Sequence, residues 1–457
     1  MKGLVLIKRK ASALTVILAV LCALVVLSCH IPKANASFHI SADGHVSGTD
    51  KIRRDGDIYT FTGDIDMDIR VEKSNIIIDG AGFKLFKGVC AGNWGIKFSS
   101  DVHDVTIKNL IITGFGRGIS MTGSGNTVTG CTLIECYEGI LLEGADDNTI
   151  ADNTFVNSTL RFDDSENNRL RNNRLENSWL GTSWQNSYND VDSSNTLNGK
   201  PVYYLVNQHD LVISPIDYPE IGCLILIGCT GVTIKDMVFP SQSTNGGVTI
   251  TYTSDSKVIN NTFTDLWQGI TIYDCSDMTV LGNYIANNEV GIVIQGQSHA
   301  YNSRINVTMN QIENNEMGIS LMGSDLNIYR NNFINNTQHV YDVIWHPLNF
   351  AQAVTYVWDD GGQGNFWSDN NATDADGDGV ADTPYVINKR GNNIDRYPLM
   401  EPIQIEFKLP VEPESTPSPE PAPGTAPFTT VLIAAASVAS IAIIIIALII
   451  YFKKRKH

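Results

Sequence analysis

The sequence predicts an all-β fold, a parallel β-helix with coils of about 22 residues, and three observations carry that expectation. One motif recurs. The segments "IKNLIITGFGRGISM", "VTGCTLIECYEGILL", "INNTFTDLWQGITI", "LGNYIANNEVGIVI" and "TMNQIENNEMGISL" each hold a small polar residue, a spacer, an apolar residue, a polar stretch and then Gly-Ile with an alternating apolar tail. The spacing is regular: the leading position falls at Asn109, Cys131, Asn153, Asn173, Asp236, Asn261, Asn283, Asn310 and Asn331, in steps of 22, 22, 20, 63, 25, 22, 27 and 21. The runs between are short, β-branched and bounded by Asn, Asp and Gly, whereas helical solenoid repeats need about 30 or more residues and a 3.6 period.

In such a coil the residue after each Gly, namely Ile119, Ile140, Ile270, Ile292 and Ile319, points inward and stacks on the coil below. The recurring Asn suits a bend because it tolerates left-handed backbone, and stacked amides form a hydrogen-bonded ladder. The step of 63 marks an excursion, residues 178–222, in which "LNGKP" reads as a tight turn between two strands. Its aromatics Trp179, Trp184, Tyr188, Tyr203 and Tyr204 have two readings, a sugar platform or a local mini-core, of which the mini-core is the simpler. Residues 37–70 cap the start and 341–400 the end, since an open coil leaves an aggregation-prone edge.

The chain begins with Lys2, Lys8, Arg9 and Lys10, an apolar run from Ala11 to Leu27 and the small-residue pattern Ala34-Asn35-Ala36, which reads as a signal peptide over 1–36. Reading Cys29 as a lipid-attachment cysteine is disfavoured by the bulky Leu27 two positions earlier. After the predicted ectodomain, 37–400, residues 401–428 contain the Pro-rich "LPVEPESTPSPEPAPGTAP", a stiff spacer. Thr429 to Phe452 is uncharged and apolar, long enough for a membrane-crossing helix of about 20 residues, and the basic tail 453–457 places its end in the cytoplasm. Setting aside the nine cations before Ser37 and after Phe452 takes the net charge from −17 to −26. So acidic an exported part is a poor partner for nucleic acid, whose phosphates require clustered Lys and Arg.

"TDADGDGVADTPY" carries the sharpest chemical motif. Asp374, Asp376 and Asp378 hold positions 1, 3 and 5 of a loop, Gly379 position 6, Val380 position 7 and Asp382 position 9, so hard oxygen ligands alternate around a glycine turn as a calcium loop requires. Position 12 is Tyr385, where an EF-hand needs a bidentate Glu, so the expected site is a structural Ca2+ loop completed from elsewhere. Cys90, Cys131, Cys136, Cys223, Cys229 and Cys275 remain after signal removal, and disulfides and buried thiols are equally consistent with them. His39, His45, His103, His209, His299, His339 and His346 are scattered, with no His-x-His pair and no Met cluster to hold copper. Asn157, Asn260, Asn306, Asn335 and Asn371 lie in glycosylation sequons. The adjacent carboxylates Asp146 with Asp147 and Asp163 with Asp164 fall at predicted turns rather than across a cleft, where glycoside hydrolysis needs its acid pair.

With these motifs, "SNIIIDGAG", "LNGKPVYYLVN" and "GNFWSD", the chain resembles the NosD-like β-helix proteins of prokaryotic cell surfaces, most closely an archaeal membrane-anchored branch. The resemblance spans nearly the whole ectodomain and implies a right-handed parallel β-helix of the class that includes carbohydrate-binding and sugar-hydrolase domains. It also implies a copper-binding label. This chain departs from the copper role in its own membrane helix and spacer and in the lack of a copper motif. It likewise lacks the Gly-His-Gly, Arg-Ile-Lys and Asp-Pro-His-Glu signatures of polygalacturonase-like helices and mannuronan epimerases. The expectation is therefore a non-catalytic, calcium-stabilised surface protein that binds polysaccharide or cell-envelope components. The alternatives are a polysaccharide lyase or hydrolase on the same fold and a copper-delivery protein.

Overall fold

The computed structural model describes residues 38–88, 93–182, 188–239, 246–296, 304–323, 325–342, 356–388 and 392–407. The predicted signal segment, the apolar stretch 429–452 with its basic tail, all but the start of the spacer, and Cys90, Trp184, His299 and His346 lie outside the described residues. Among the described residues there is no helix, and none long and apolar enough to cross a membrane.

The described chain is a right-handed-type parallel β-solenoid of about 12 turns. It forms two successive three-faced stretches. In the first, one coil runs through Val105–Lys108 on face B, Ile111–Thr113 on face C and Arg117–Met121 on face A, and the next through Thr127–Thr129, Thr132–Ile134 and Glu138–Glu143. Each strand pairs in parallel with its counterpart one coil on, so Val128 sits over Ile107, Leu133 over Ile112 and Ile140 over Ile119, all fully buried. The second stretch repeats the scheme with faces A′, B′ and C′, and there Ile270, Ile292 and Ile319 form one buried column as the motif predicts. Burial of each such side chain stabilises the fold by about 1.5–3 kcal/mol.

The glycine of the Gly-Ile motif has a steric cause. A Cβ on Gly118 would lie 2.5 Å from the carbonyl oxygen of Gly139, and one on Gly291 2.5 Å from that of Gly318, so the coils close-pack backbone on backbone at this corner.

Asparagine ladders run along the other corners. Asn261, Asn283, Asn310, Asn331 and Asn365 each accept, on the side-chain oxygen, the backbone N–H of the preceding rung, and from Asn283 onward also its amide N–H, at 2.9–3.0 Å. Each Nδ2 also reaches a backbone carbonyl, so every rung satisfies groups that a solvent-free corner would otherwise orphan. Here the sequence expectation needs two corrections. The rung is not the left-handed residue; its predecessor is, as at Asp152 (φ 58°), Asn172 (φ 52°), Asn260 (φ 54°) and Met309 (φ 56°). Asn109 and Asp236 are themselves left-handed, and the strand register puts Leu110 and Met237 at the rung position in their coils.

The excursion is also smaller than expected. Leu180–Thr182, Asp190–Val191 and Thr196–Leu197 continue faces A, B and C for one more coil, with Asn195 as its rung. The chain then reverses in the predicted turn: Thr196–Leu197 pairs antiparallel with Lys200–Val206 through Asn198 (φ 47°) and Gly199 (φ 80°). Lys200–Val206 next pairs in parallel with Cys223–Ile227, which fuses face C and face A′ into one 13-stranded sheet. Strand direction is opposite in its two halves, and so is the side on which the core lies. Val202, Tyr204, Ile225 and Ile227 pack into the first core, whereas Leu224, Leu226, Val248 and Ile250 pack into the second. All five residues of Cys223–Ile227 are buried because this strand serves both.

Antiparallel pairs close the ends. Phe38–Ile40 pairs with Val46–Ser47 and Ile52–Asp55 with Ile58–Phe61, within the expected 37–70 cap. Within 341–400, Tyr385–Asn388 pairs with Asn393–Asp395 beside the buried Trp358 and Trp367.

Candidate functional site

The change of core side leaves a step in the surface. Where the first core ends, its side of the shared sheet continues as the outer face of A′, and the last coils of face A overhang it. The result is a cleft of about 320 Å³, within the range of small-ligand sites. Tyr137, Arg161, Trp179 and Thr182 line it from the first stretch, and Thr249, Thr251, Trp267, Gln268, Thr271 and Gln295 from the second. Trp179 and Trp267 meet edge to face at 5.3 Å, and both are half-buried, while Tyr137 is 83% exposed. The Thr271 hydroxyl donates to Gln268 Oε1 at 2.9 Å, which fixes the amide and leaves its N–H groups as donors directed elsewhere.

Arg161 is positioned from behind. Its Nη1 donates to Glu138 Oε1 at 3.2 Å and Nη2 to Asp163 at 3.4 Å, and Arg117 Nε binds the other Glu138 oxygen at 2.7 Å. Glu138 is 5% exposed and committed to two guanidiniums. Among the described residues the lining thus offers flat aromatic surface, amides, hydroxyls and the Arg161 guanidinium, and no carboxylate. Asp147 and Asp164 occupy left-handed turn positions, and Asp146 accepts the Glu166 N–H at 2.8 Å.

Of the five predicted loop ligands the structure converges three. Asp374, Asp376 and Asp378 each present an oxygen within 4.8 Å of the others, the only such group among the described residues. Gly377 (φ 74°) and Gly379 (φ 86°) supply the backbone reversals. The N–H groups of Gly377, Asp378 and Gly379 all reach the Asp374 carboxylate, and those hydrogen bonds, led by Gly379, hold its pKa below the usual carboxylate value. Asp382 turns away, accepting from Ala375 N–H at 2.9 Å and from Thr373 at 3.3 Å. Val380 is held at the loop exit by a bridge to Leu399.

The cysteines among the described residues offer copper no accessible thiolate. Cys131, Cys136, Cys223, Cys229 and Cys275 are buried, and burial pushes the thiols of Cys131, Cys223 and Cys275 up to about 12. Four of them, all but Cys223, fill ladder corners, as where Cys131 N–H donates to Asn153. Of the sequon asparagines, Asn157, Asn260, Asn335 and Asn371 are exposed and Asn306 is half-buried.

No curated protein matches the chain. Among solved structures it is similar to the Azotobacter vinelandii mannuronan C-5 epimerase AlgE4 A-module, at 15% identity over 60% of this chain and 90% of that one, with a TM-score of 0.23. The catalytic domain of a GH87 α-1,3-glucanase aligns at 12% identity over 67% of this chain and 57% of that one, TM-score 0.27. The bacteriophage CBA120 tailspike protein 3 aligns at 10% over 60% and 54%, TM-score 0.22. The family described as "Periplasmic copper-binding protein (NosD)" matches residues 65–212 and 220–372, and the chain belongs to that family.

Proposed function

We propose that this NosD-family protein is an extracytoplasmic, non-catalytic glycan-binding β-helix that holds a sugar segment in the cleft between its two stretches. The observation that carries this reading is the lining: two half-buried indoles and an exposed tyrosine beside fixed amides and hydroxyls suit the apolar faces and hydroxyl rims of sugar rings. The absence of a carboxylate from that lining among the described residues favours binding over two-acid hydrolysis. The N-terminal signal pattern, the Pro-rich spacer and the apolar stretch 429–452 support an exported chain tethered to a membrane and held away from it. The converging Asp374, Asp376 and Asp378 support a structural Ca2+ loop completed by Val380 or groups beyond it.

Binding of neutral oligosaccharides to the full-length protein tests the cleft. Trp267→Ala is expected to weaken binding at least tenfold, about 1.4 kcal/mol, with the melting temperature little changed. Release of new reducing ends or unsaturated products from any polysaccharide would replace this reading with the enzymatic one. For the loop, Ca2+ is expected to raise the melting temperature of the wild type and not of Asp376→Ala. Stoichiometric copper retained by both proteins would favour metal delivery instead.

A further inference from the structure

At the far end of the molecule a second concavity, of about 670 Å³, opens beside the closing hairpin. Its lining includes Asn335, Gln338, His339, Asp369, Tyr385 and Ile387. Asp369 is the only acid there among the described residues, and its side chain is 61% exposed. Two groups hold it in one orientation. Tyr385 donates its hydroxyl to Oδ2 at 3.2 Å, and His339 Nε2 lies 3.3 Å from Oδ1.

The histidine tautomer follows from its other neighbour. Asn336 Nδ2 donates to His339 Nδ1 at 3.2 Å, and that nitrogen belongs to the terminal rung of an asparagine ladder whose oxygen receives Asn315. Nδ1 is therefore the acceptor and Nε2 carries the proton toward Asp369. His339 is 9% exposed and packs edge-on against both the stacked Phe333 and Trp367 rings, and burial lowers its pKa. Tyr385 lies flat on Trp367 at 4.3 Å and 9°, the outermost of three stacked rings with Phe333.

A carboxylate has about four lone-pair sites. Two are used here, and the exposed remainder face the concavity beside a stacked aromatic ring and a rim of amides. Both His339 nitrogens are engaged, and a single carboxylate without further acids is a poor cage for a divalent cation. An anionic sugar would meet Asp369 directly. We propose that this concavity is a second binding site, specific for the vicinal diol of a neutral sugar: Asp369 accepts two hydroxyls and Tyr385 carries the ring face.

The choice of ligand class rests on the glycan reading above, but the residues do not overlap with the cleft. The test uses full-length protein, with malto-, cello- and manno-hexaose as probes and oligogalacturonate and Ca2+ as comparators, read by saturation-transfer NMR. Trp267→Ala is expected to retain binding of a neutral hexaose, and adding Asp369→Asn to weaken that residual binding at least tenfold. Tyr385→Phe, which preserves the stack but loses one orienting hydrogen bond, is expected to weaken it severalfold, so the result does not depend on one variant folding. Wild-type behaviour of both Asp369→Asn and Tyr385→Phe overturns the second site alone. So does displacement of the bound sugar by Ca2+, or a preference for oligogalacturonate. Undiminished binding in Trp267→Ala that Asp369→Asn abolishes would sink the cleft reading instead, and no binding by any variant sinks both.

Discussion

The two stretches of the solenoid use the same asparagine corner and finish it differently. In the first, the ladder through Asn153 and Asn173 ends at Asn195, whose Nδ2 turns to the Asp192 carbonyl at 2.9 Å and carboxylate at 3.5 Å, and Asp192 is 47% exposed. In the second, Asn365 passes its backbone N–H to Asp395 at 2.7 Å, and Trp367 Nε1 reaches the same oxygen at 2.8 Å. Asp395 is fully buried. Every rung hands N–H donors forward, so the last one needs a neighbour that only accepts, and a carboxylate is that group. In the first stretch further strands continue beyond the end and a local, wet aspartate suffices. At the free end of the second the terminal acceptor lies under the cap.

The largest expected effect comes from breaking a middle rung. Asn310→Ala takes the shared acceptor from the backbone and amide N–H groups of Asn283 and the side-chain donor from the Val280 carbonyl in a dry corner, and at about 1–3 kcal/mol per buried orphan it should cost more than about 3 kcal/mol. Asn126→Ala, which removes the acceptor of one N–H at the start of a first-stretch ladder, should cost about 1–2 kcal/mol. Urea unfolding of the two variants measures the contrast, and equal losses would show that rungs do not act as a chain.

Next comes pH. Burial, outweighing the N–H donors around it, raises Asp395 from 3.8 to about 6. Its folded pKa lies above its unfolded one, so its contribution favours the fold below about 4 and is lost as pH rises through about 6, amounting to about 3 kcal/mol. Denaturation of wild type and Asp395→Asn from pH 4 to 7 should give a difference with this slope.

Gly291→Ala should follow, at about 1–3 kcal/mol, because its Cβ would meet a backbone oxygen in the next coil. The smallest effect is expected at the reversal itself. Gly199→Ala has open space around it but a φ of 80°, and should cost about 1 kcal/mol. A larger loss at Gly199 than at Gly291 in thermal unfolding would mean that the turn, not the coil stacking, limits the fold.

Much of this was legible beforehand. The inward isoleucines, the Asn-Gly turn and the converging Asp374, Asp376 and Asp378 each follow from spacing that local geometry must obey. The extra coil at Asn195 was hidden because its strands are only two or three residues long and lack the Gly-Ile mark. Asn365 was missed because it lies 34 residues beyond Asn331, outside the period. The second ladder, through Asn288, Asn315 and Asn336, stood in the repeat unnoticed: in "NNE" and "NNT" each asparagine looks like a turn filler until the coils are stacked.

By itself the sequence determined a solenoid, its coil length, which residues face inward and where the acidic loop turns, because these depend on periodicity and on backbone preferences within a few residues. Only the tertiary structure decided that the core changes sides at Cys223–Ile227, that Trp179 meets Trp267, and that His339 and Tyr385 orient Asp369. Those pairings join residues tens of positions apart, through a strand reversal whose consequence depends on which faces then become neighbours, and no local pattern encodes that.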